Sequence, residues 1–235
     1  MSRRDNGQHR CRQCAMHLSL CICAEVPSLT TASKLCLVMH RDELLKTTNT
    51  GRLAARCLQG SEILVHGRVG ERVAAPAQIG GRSLRELLLF PCAQAEPLGP
   101  QHAESGPVRL VVPDGTWRQA TKMTRRLEWM AALPRVTLAA GALTRYRLRS
   151  EPKEGGLSTI EAIARAFAVL EGTWVEEKLQ DVFRKMTDRT LYSRGLLARQ
   201  HVFGGVPSDA QSQDPNRVSV RGGWGCRDDR SGTSL

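Results

Sequence analysis

The chain has 235 residues, of which 41% are hydrophobic, 24% charged and 4% aromatic: enough for one α/β core with an appendage and too short for two enzyme domains. A core drawn from Leu, Val, Ala and Ile excludes a wholly disordered chain. No apolar run approaches the ~20 residues of a membrane helix, and Met1 to Cys14 is Arg-rich without an apolar stretch behind it, so neither a span nor a signal peptide is expected and the chain reads as cytoplasmic. Lys plus Arg number 34 against 23 Asp plus Glu, a net charge of +11 that attracts polyanions, with nucleic acid the foremost class and an ordinary solvated surface the alternative.

Eight cysteines in such a chain are not expected to form disulfides. Four of them form the cluster Cys11-x2-Cys14-x6-Cys21-x-Cys23, while Cys36, Cys57, Cys92 and Cys226 stand alone. Two closely spaced pairs of soft ligands joined by a short loop are a zinc pattern, although the second pair is tight. A structural zinc would hold together an Arg-rich knuckle, residues 1–30, that lacks an apolar core of its own. The isolated cysteines read as small core or surface residues.

Beyond the knuckle, apolar runs alternate with helical stretches, the pattern of a mostly parallel sheet with crossover helices over 31–203. Strands are expected at Leu35–Met39 and Ile63–His66, with a helix from Thr50 through Leu58 between them. Gly and Pro mark a loop over 67–82, and Ser83–Glu86 reads as a helical turn before a strand Leu87–Phe90 stopped by Pro91. The Pro- and Gly-rich stretch 93–107 reads as a surface connection. A strand Val108–Val112 ends at Pro113-Asp114-Gly115, followed by a helix Arg118–Met130 and a strand Arg135–Leu138. That helix has a core stripe of Ala120, Met123, Leu127 and Met130, and a basic face of Arg118, Lys122, Arg125 and Arg126.

The stretch 139–157 has no periodicity and carries Arg145, Arg147, Arg149, Lys153 and Gly155-Gly156, which reads as a functional loop. Ser158-Thr159-Ile160-Glu161 is a capping box opening a helix whose apolar positions are Ile160, Ile163, Ala164, Phe167 and Leu170. One or two more helices fill 174–202, and 204–235 reads as a disordered tail.

Chemistry concentrates at Asp114-Gly115-Thr116-Trp117. In an open α/β sheet, ligands bind beyond the carboxyl ends of strands, and this strand end carries an acid, a Gly, a hydroxyl and a large aromatic. Asp114 can take a proton or hold a ligand hydroxyl or amine, and Trp117 can stack on a ring. The competing reading is structural: Asp114 caps the next helix and Trp117 packs beneath it.

Together these segments resemble the DTW-domain family over roughly residues 10–200. The resemblance rests on Asp114-Gly115-Thr116-Trp117, the cysteines at 11, 14, 21 and 23, Thr48-Asn49-Thr50-Gly51, Phe90-Pro91, and Arg149 followed by Leu157-Ser158-Thr159-Ile160-Glu161-Ala162. It departs from the family at Met16-His17, where a proline-containing turn is expected, and in the tail.

The resemblance implies a SPOUT-like fold with a C-terminal knot and a small four-cysteine zinc knuckle. It implies a tRNA-uridine aminocarboxypropyltransferase, which moves the 3-amino-3-carboxypropyl group of S-adenosylmethionine to N3 of a uridine and leaves 5′-methylthioadenosine. Three loops would hold the co-substrate: Phe90 and Pro91, then Gly115, Thr116 and Trp117 beside Asp114, then Leu157, Ser158, Thr159 and Glu161. Asp114 would be the general base, or a ligand of the co-substrate's amine. Lys46, Asn49, Arg118, Lys122, Arg145, Arg147 and Arg149 are candidate tRNA contacts, with Arg10 and Arg12 at the knuckle. Neither DNA nor a membrane is an expected partner, and oligomeric state is not legible. The rivals are a SPOUT-type RNA methyltransferase and a non-catalytic zinc-containing RNA-binding protein.

Overall fold

The structure, a computed structural model, describes residues 9–44, 46–67, 70, 73–76, 84–139, 144, 148, 156–208 and 210. Six strands form one sheet: β1 (Lys34–His40), β2 (Glu62–His66), β3 (Arg85–Leu89), β4 (Glu96–Pro97), β5 (Val108–Asp114) and β6 (Arg135–Thr137). Their order is β2-β1-β5-β3-β6-β4, and every neighbouring pair is parallel. The main helices are α1 (Thr50–Cys57), α2 (Pro100–Glu104), α3 (Trp117–Arg126), α4 (Glu128–Ala131), α5 (Thr159–Glu171) and α6 (Thr173–Ser193).

Both sheet faces are covered, so the central strands are largely apolar on both sides, as parallel crossover topology requires, with buried Arg109 of β5 paired to Glu86 of β3 at 2.7 Å. Leu35, Leu37 and Met39 of β1 and Val108, Leu110 and Val112 of β5 share one core with α1, α5 and α6, centred on fully buried Phe167. The alternate residues Cys36, Val38, Leu88 and Val111 pack with Ala120, Met123, Leu127 and Met130 on the opposite face. This places the basic face of α3 outward: Arg118, Lys122, Arg125 and Arg126 lie away from that core.

Several expectations are corrected. Arg85 and Glu86 are extended in β3, where Arg85 pairs in register with Val108; sheet pairing overrides the local helical reading. The stretch 93–107 contains β4 and α2, because Gly99 and Pro100 open a helix instead of prolonging a loop. Strand β5 runs on through Pro113 and Asp114, whose register partners on β1 are Val38 and Met39. The expected single helix 118–130 is broken at Leu127, whose extended backbone (φ −85°, ψ 101°) ends α3 and starts α4.

The knuckle is not without an apolar core. Met16, Leu20 and Ile22 are buried in the main one, and Arg189 of α6 donates to the Cys21 carbonyl and pairs with Glu25 at 2.6 Å. Beyond 203, Arg189 donates to the Gly205 carbonyl and Ala210 is buried against Tyr192. Arg145, Arg147, Arg149, Lys153, most of the loop 67–82 and residues 211–235 lie outside the described residues. So does most of the connection from β6 to α5, on whose path a C-terminal knot depends. No helix among the described residues is long and apolar enough to cross a membrane.

Candidate active site

The chain leaves β1 toward β2 on one side, and leaves β5 through α3 and α4 toward β6 on the other. The crevice at the carboxyl ends of β1 and β5 is therefore a topological switch point, the place where open parallel sheets bind ligands. Asp114 ends β5 there and is 3% exposed. Its Oδ1 accepts from the Thr159 hydroxyl at 2.6 Å, in the first turn of α5. Its Oδ2 accepts from Asn49 Nδ2 at 2.7 Å, the N-cap of α1.

Asn49 is held at both ends of its amide. Its Oδ1 accepts the Arg52 amide at 2.7 Å and caps α1, while Nδ2 also reaches Glu43 Oε2 at 3.2 Å. Glu43 is 1% exposed and pairs with Lys46 at 2.5 Å. Gly51 lies close by: a Cβ there would sit 2.8 Å from Asp114 Oδ2, so the carboxylate occupies space that a side chain at 51 would take. The Asn-Thr-Gly element thus reads physically as a cap, a buried Thr and a close approach.

Asp114 does not cap α3. That role belongs to Thr116, whose hydroxyl accepts from the Gln119 amide at 3.3 Å while Gln119 Oε1 accepts from the Thr116 amide at 2.8 Å. Gln119 Nε2 also meets His40 Nδ1 at 3.0 Å, tying the loop to the end of β1. Trp117 does not pack under the helix but is 49% exposed, its ring centroid 6.1 Å from that of Phe90 after β3. Glu161 is buried and accepts the Ser158 amide at 2.9 Å, the Ser158 hydroxyl at 2.7 Å and the Thr144 hydroxyl at 2.6 Å. The three expected loops therefore meet: the 114–117 loop touches α5 through Thr159 and the Phe90 turn through Trp117.

Pro91 is exposed, and Gly115 and Leu157 are half-buried. Of the expected RNA contacts, Arg118 lies on the open side of α3 with Lys122, Lys46 is paired with Glu43, and Asn49 is buried against Asp114 instead of facing outward. Glu43, His40 and Thr144 carry no motif in the sequence and act through contacts between segments, whereas Gln119 closes a Thr116-x-x-Gln119 capping box that the spacing alone could have shown.

The four clustered cysteines converge. Their Sγ atoms all lie within 4.8 Å of one another, with Cys11–Cys23 at 3.5 Å and Cys14–Cys21 at 3.7 Å. A tetrahedral zinc with Zn–S bonds of about 2.3 Å needs sulfurs about 3.8 Å apart, so the thiols fit that ion. The turn through the first pair is closed just after Cys14 by Ala15 at φ 60°, whose amide donates to the Cys11 carbonyl at 2.8 Å. Backbone N–H donation from Cys14 brings the Cys11 thiol down to about 6, whereas burial pushes Cys21 up to about 12. Burial likewise pushes Cys36 and Cys57 up to about 12, leaving them neutral core thiols.

Fold and site define an α/β protein with a topological switch point between β1 and β5 of a parallel sheet and a four-cysteine cluster in its N-terminal knuckle. The chain belongs to the DTW domain family, whose pattern matches residues 8–191. It is 30% identical over 171 residues, 71% of this chain and 68% of the relative, to tRNA-uridine aminocarboxypropyltransferase 2 of Drosophila melanogaster. It is 27% identical to the Macaca fascicularis protein of the same name, over 72% of this chain and 59% of that one. Against tRNA-uridine aminocarboxypropyltransferase A of Arabidopsis thaliana it is 27% identical over 79% of this chain and 83% of the relative. These relatives are transferases by name. No solved structure matches the chain.

Proposed function

We propose that this protein is a tRNA-modifying transferase that moves the 3-amino-3-carboxypropyl group of S-adenosylmethionine to N3 of a uridine in tRNA. In that reaction the uridine N3–H proton passes to solvent water, the N3 electron pair forms a bond to the chain's γ-carbon, the carbon–sulfur bond breaks with its electrons going to sulfur, and the sulfonium becomes the neutral thioether 5′-methylthioadenosine. The observation that supports this reading most is the meeting of segments at the end of β5, where Asn49 and Thr159 hold Asp114 and Trp117 lies beside Phe90, in the family whose relatives are named for aminocarboxypropyl transfer.

Sulfonium activates three carbons, so the group transferred is set by which carbon the site aligns with the nucleophile. A carboxylate fixed by two donors from two elements suits that task. Donation to both oxygens favours the ionised form, which fits Asp114 as an anion that orients the co-substrate's ammonium. Its action as base toward N3 is the second reading. The half-exposed Trp117 beside Phe90 presents a face for a base, and Arg118 and Lys122 on the outward side of α3 suit phosphates. N3 lies on the Watson–Crick edge, so the uridine must be unpaired or flipped to react. The four-cysteine centre takes a structural zinc through Cys11, Cys14, Cys21 and Cys23.

The test is incubation with unmodified tRNA and S-adenosylmethionine labelled in the carboxypropyl chain or in the methyl group. Chain label in tRNA is the expected result. Methyl label would establish a methyltransferase, and tRNA binding without either label a binding protein.

A further inference from the structure

Helix α1 touches both centres. Its N-cap, Asn49, donates to Asp114, and near its other end Arg56 Nη2 lies 3.4 Å from Cys23 Sγ and 3.3 Å from Gln13 Oε1. Gln13 sits in the Cys11–Cys14 turn, so one guanidinium reaches both halves of the cysteine cluster. Arg56 Nη1 is buried and has no hydrogen-bond partner among the described residues. Arg10, in the knuckle itself, donates to the Ala15 carbonyl at 3.2 Å.

A guanidinium whose buried Nη1 has no partner is poorly compensated beside thiols alone, because a thiol is a weak acceptor and a buried donor left without a partner is costly. The balance changes when a metal is bound. Four thiolates on a divalent ion leave a net charge of about −2, and a fixed cation donating to one of the sulfurs offsets it.

We infer that Arg56 belongs to the metal centre: its guanidinium donates to the Cys23 thiolate, lowers the charge the cluster must bear, and so tightens metal binding while joining the knuckle to α1. Arg56 touches a ligand and not the ion, so it is a positioning residue. The inference rests on the fit of the four thiols to zinc and is independent of the chemistry at Asp114.

The test uses the full chain and the variants Arg56→Met, which keeps the apolar stem, and Arg56→Lys, which keeps the charge without the planar fork. Zinc affinity is measured by competition with a chromophoric chelator, and the sulfur-to-metal charge-transfer band is recorded with Co2+ in place of zinc. Arg56→Met is expected to weaken zinc binding about 10–100-fold and to move the Co2+ band, with part of the affinity restored in Arg56→Lys. The metal-free forms of Arg56→Met and the unaltered chain should melt together. Unchanged zinc affinity in Arg56→Met would overturn the inference, as would a melting loss equal with and without metal, or the absence of a stoichiometric Co2+–thiolate band in the unaltered chain.

Discussion

At the scale of single residues, Asp114 separates charge from shape. An Asn there can turn its Oδ1 to Asn49 and its Nδ2 to the Thr159 oxygen, so Asp114→Asn should fold with a stability loss within about 1–2 kcal/mol by urea denaturation. Chain transfer to tRNA should nonetheless fall below detection, since only the charge has gone. Gly51→Ala tests the space instead. Its new Cβ would fall 2.8 Å from Asp114 Oδ2, so the carboxylate must move, and transfer should drop at least tenfold, with about 1–3 kcal/mol of stability lost to overpacking. Normal activity in Gly51→Ala would show that the position of Asp114 is not critical. Glu43→Gln replaces an acceptor facing both Asn49 and Lys46 with a group that presents an N–H to one of them. Loosening Asn49 in this way should cost about tenfold in rate, equivalent to about 1.4 kcal/mol, without changing tRNA affinity.

At the scale of elements, helix starts do the positioning. Three of them, those of α1, α3 and α5, meet the sheet at the carboxyl ends of β1 and β5, and each is fixed by its own cap at Asn49, Thr116 and Ser158–Glu161. The knuckle is coupled to α6 by Glu25, which pairs with Lys185 at 3.1 Å and Arg189 at 2.6 Å. Burial pushes the Glu25 carboxyl up, but these two cations outweigh it and hold the group below its ordinary value. The carboxyl is therefore more acidic folded than unfolded, and its contribution is full above the ordinary value of 4.5 and lost as pH falls through the lower folded one. Glu25→Gln should accordingly lower stability at neutral pH and flatten its decline on the acid side, measured by thermal melts from about pH 7 to about pH 3. An acid limb unchanged in the variant would remove Glu25 from that role.

For the whole molecule, the net charge of +11 and the outward basic face of α3 predict electrostatic RNA binding. The logarithm of tRNA affinity should fall linearly with the logarithm of salt concentration, and Lys122→Ala should reduce the slope by about one if that side chain contacts a phosphate. An affinity insensitive to salt would argue against this face as the tRNA surface.

The alternation of apolar runs and amphipathic stretches was enough to read a parallel α/β sheet, because buried strands and half-buried helices impose different periods on a local sequence. The Cys spacing and the Ser158–Glu161 capping box were legible for the same reason, since such turns and caps close within a few residues, whereas the cap of α3 was expected at Asp114 and lies at Thr116. Strand order, the continuation of β5 through Asp114 and the break at Leu127 depend on pairing and packing with distant segments. So does the partnership of Asp114 with Asn49, 65 positions away, and with Thr159, 45 positions away. Local sequence determined which residues could cap, pair or ligate; only the tertiary fold decided which of them face one another, because a hydrogen bond between distant segments has no period to betray it.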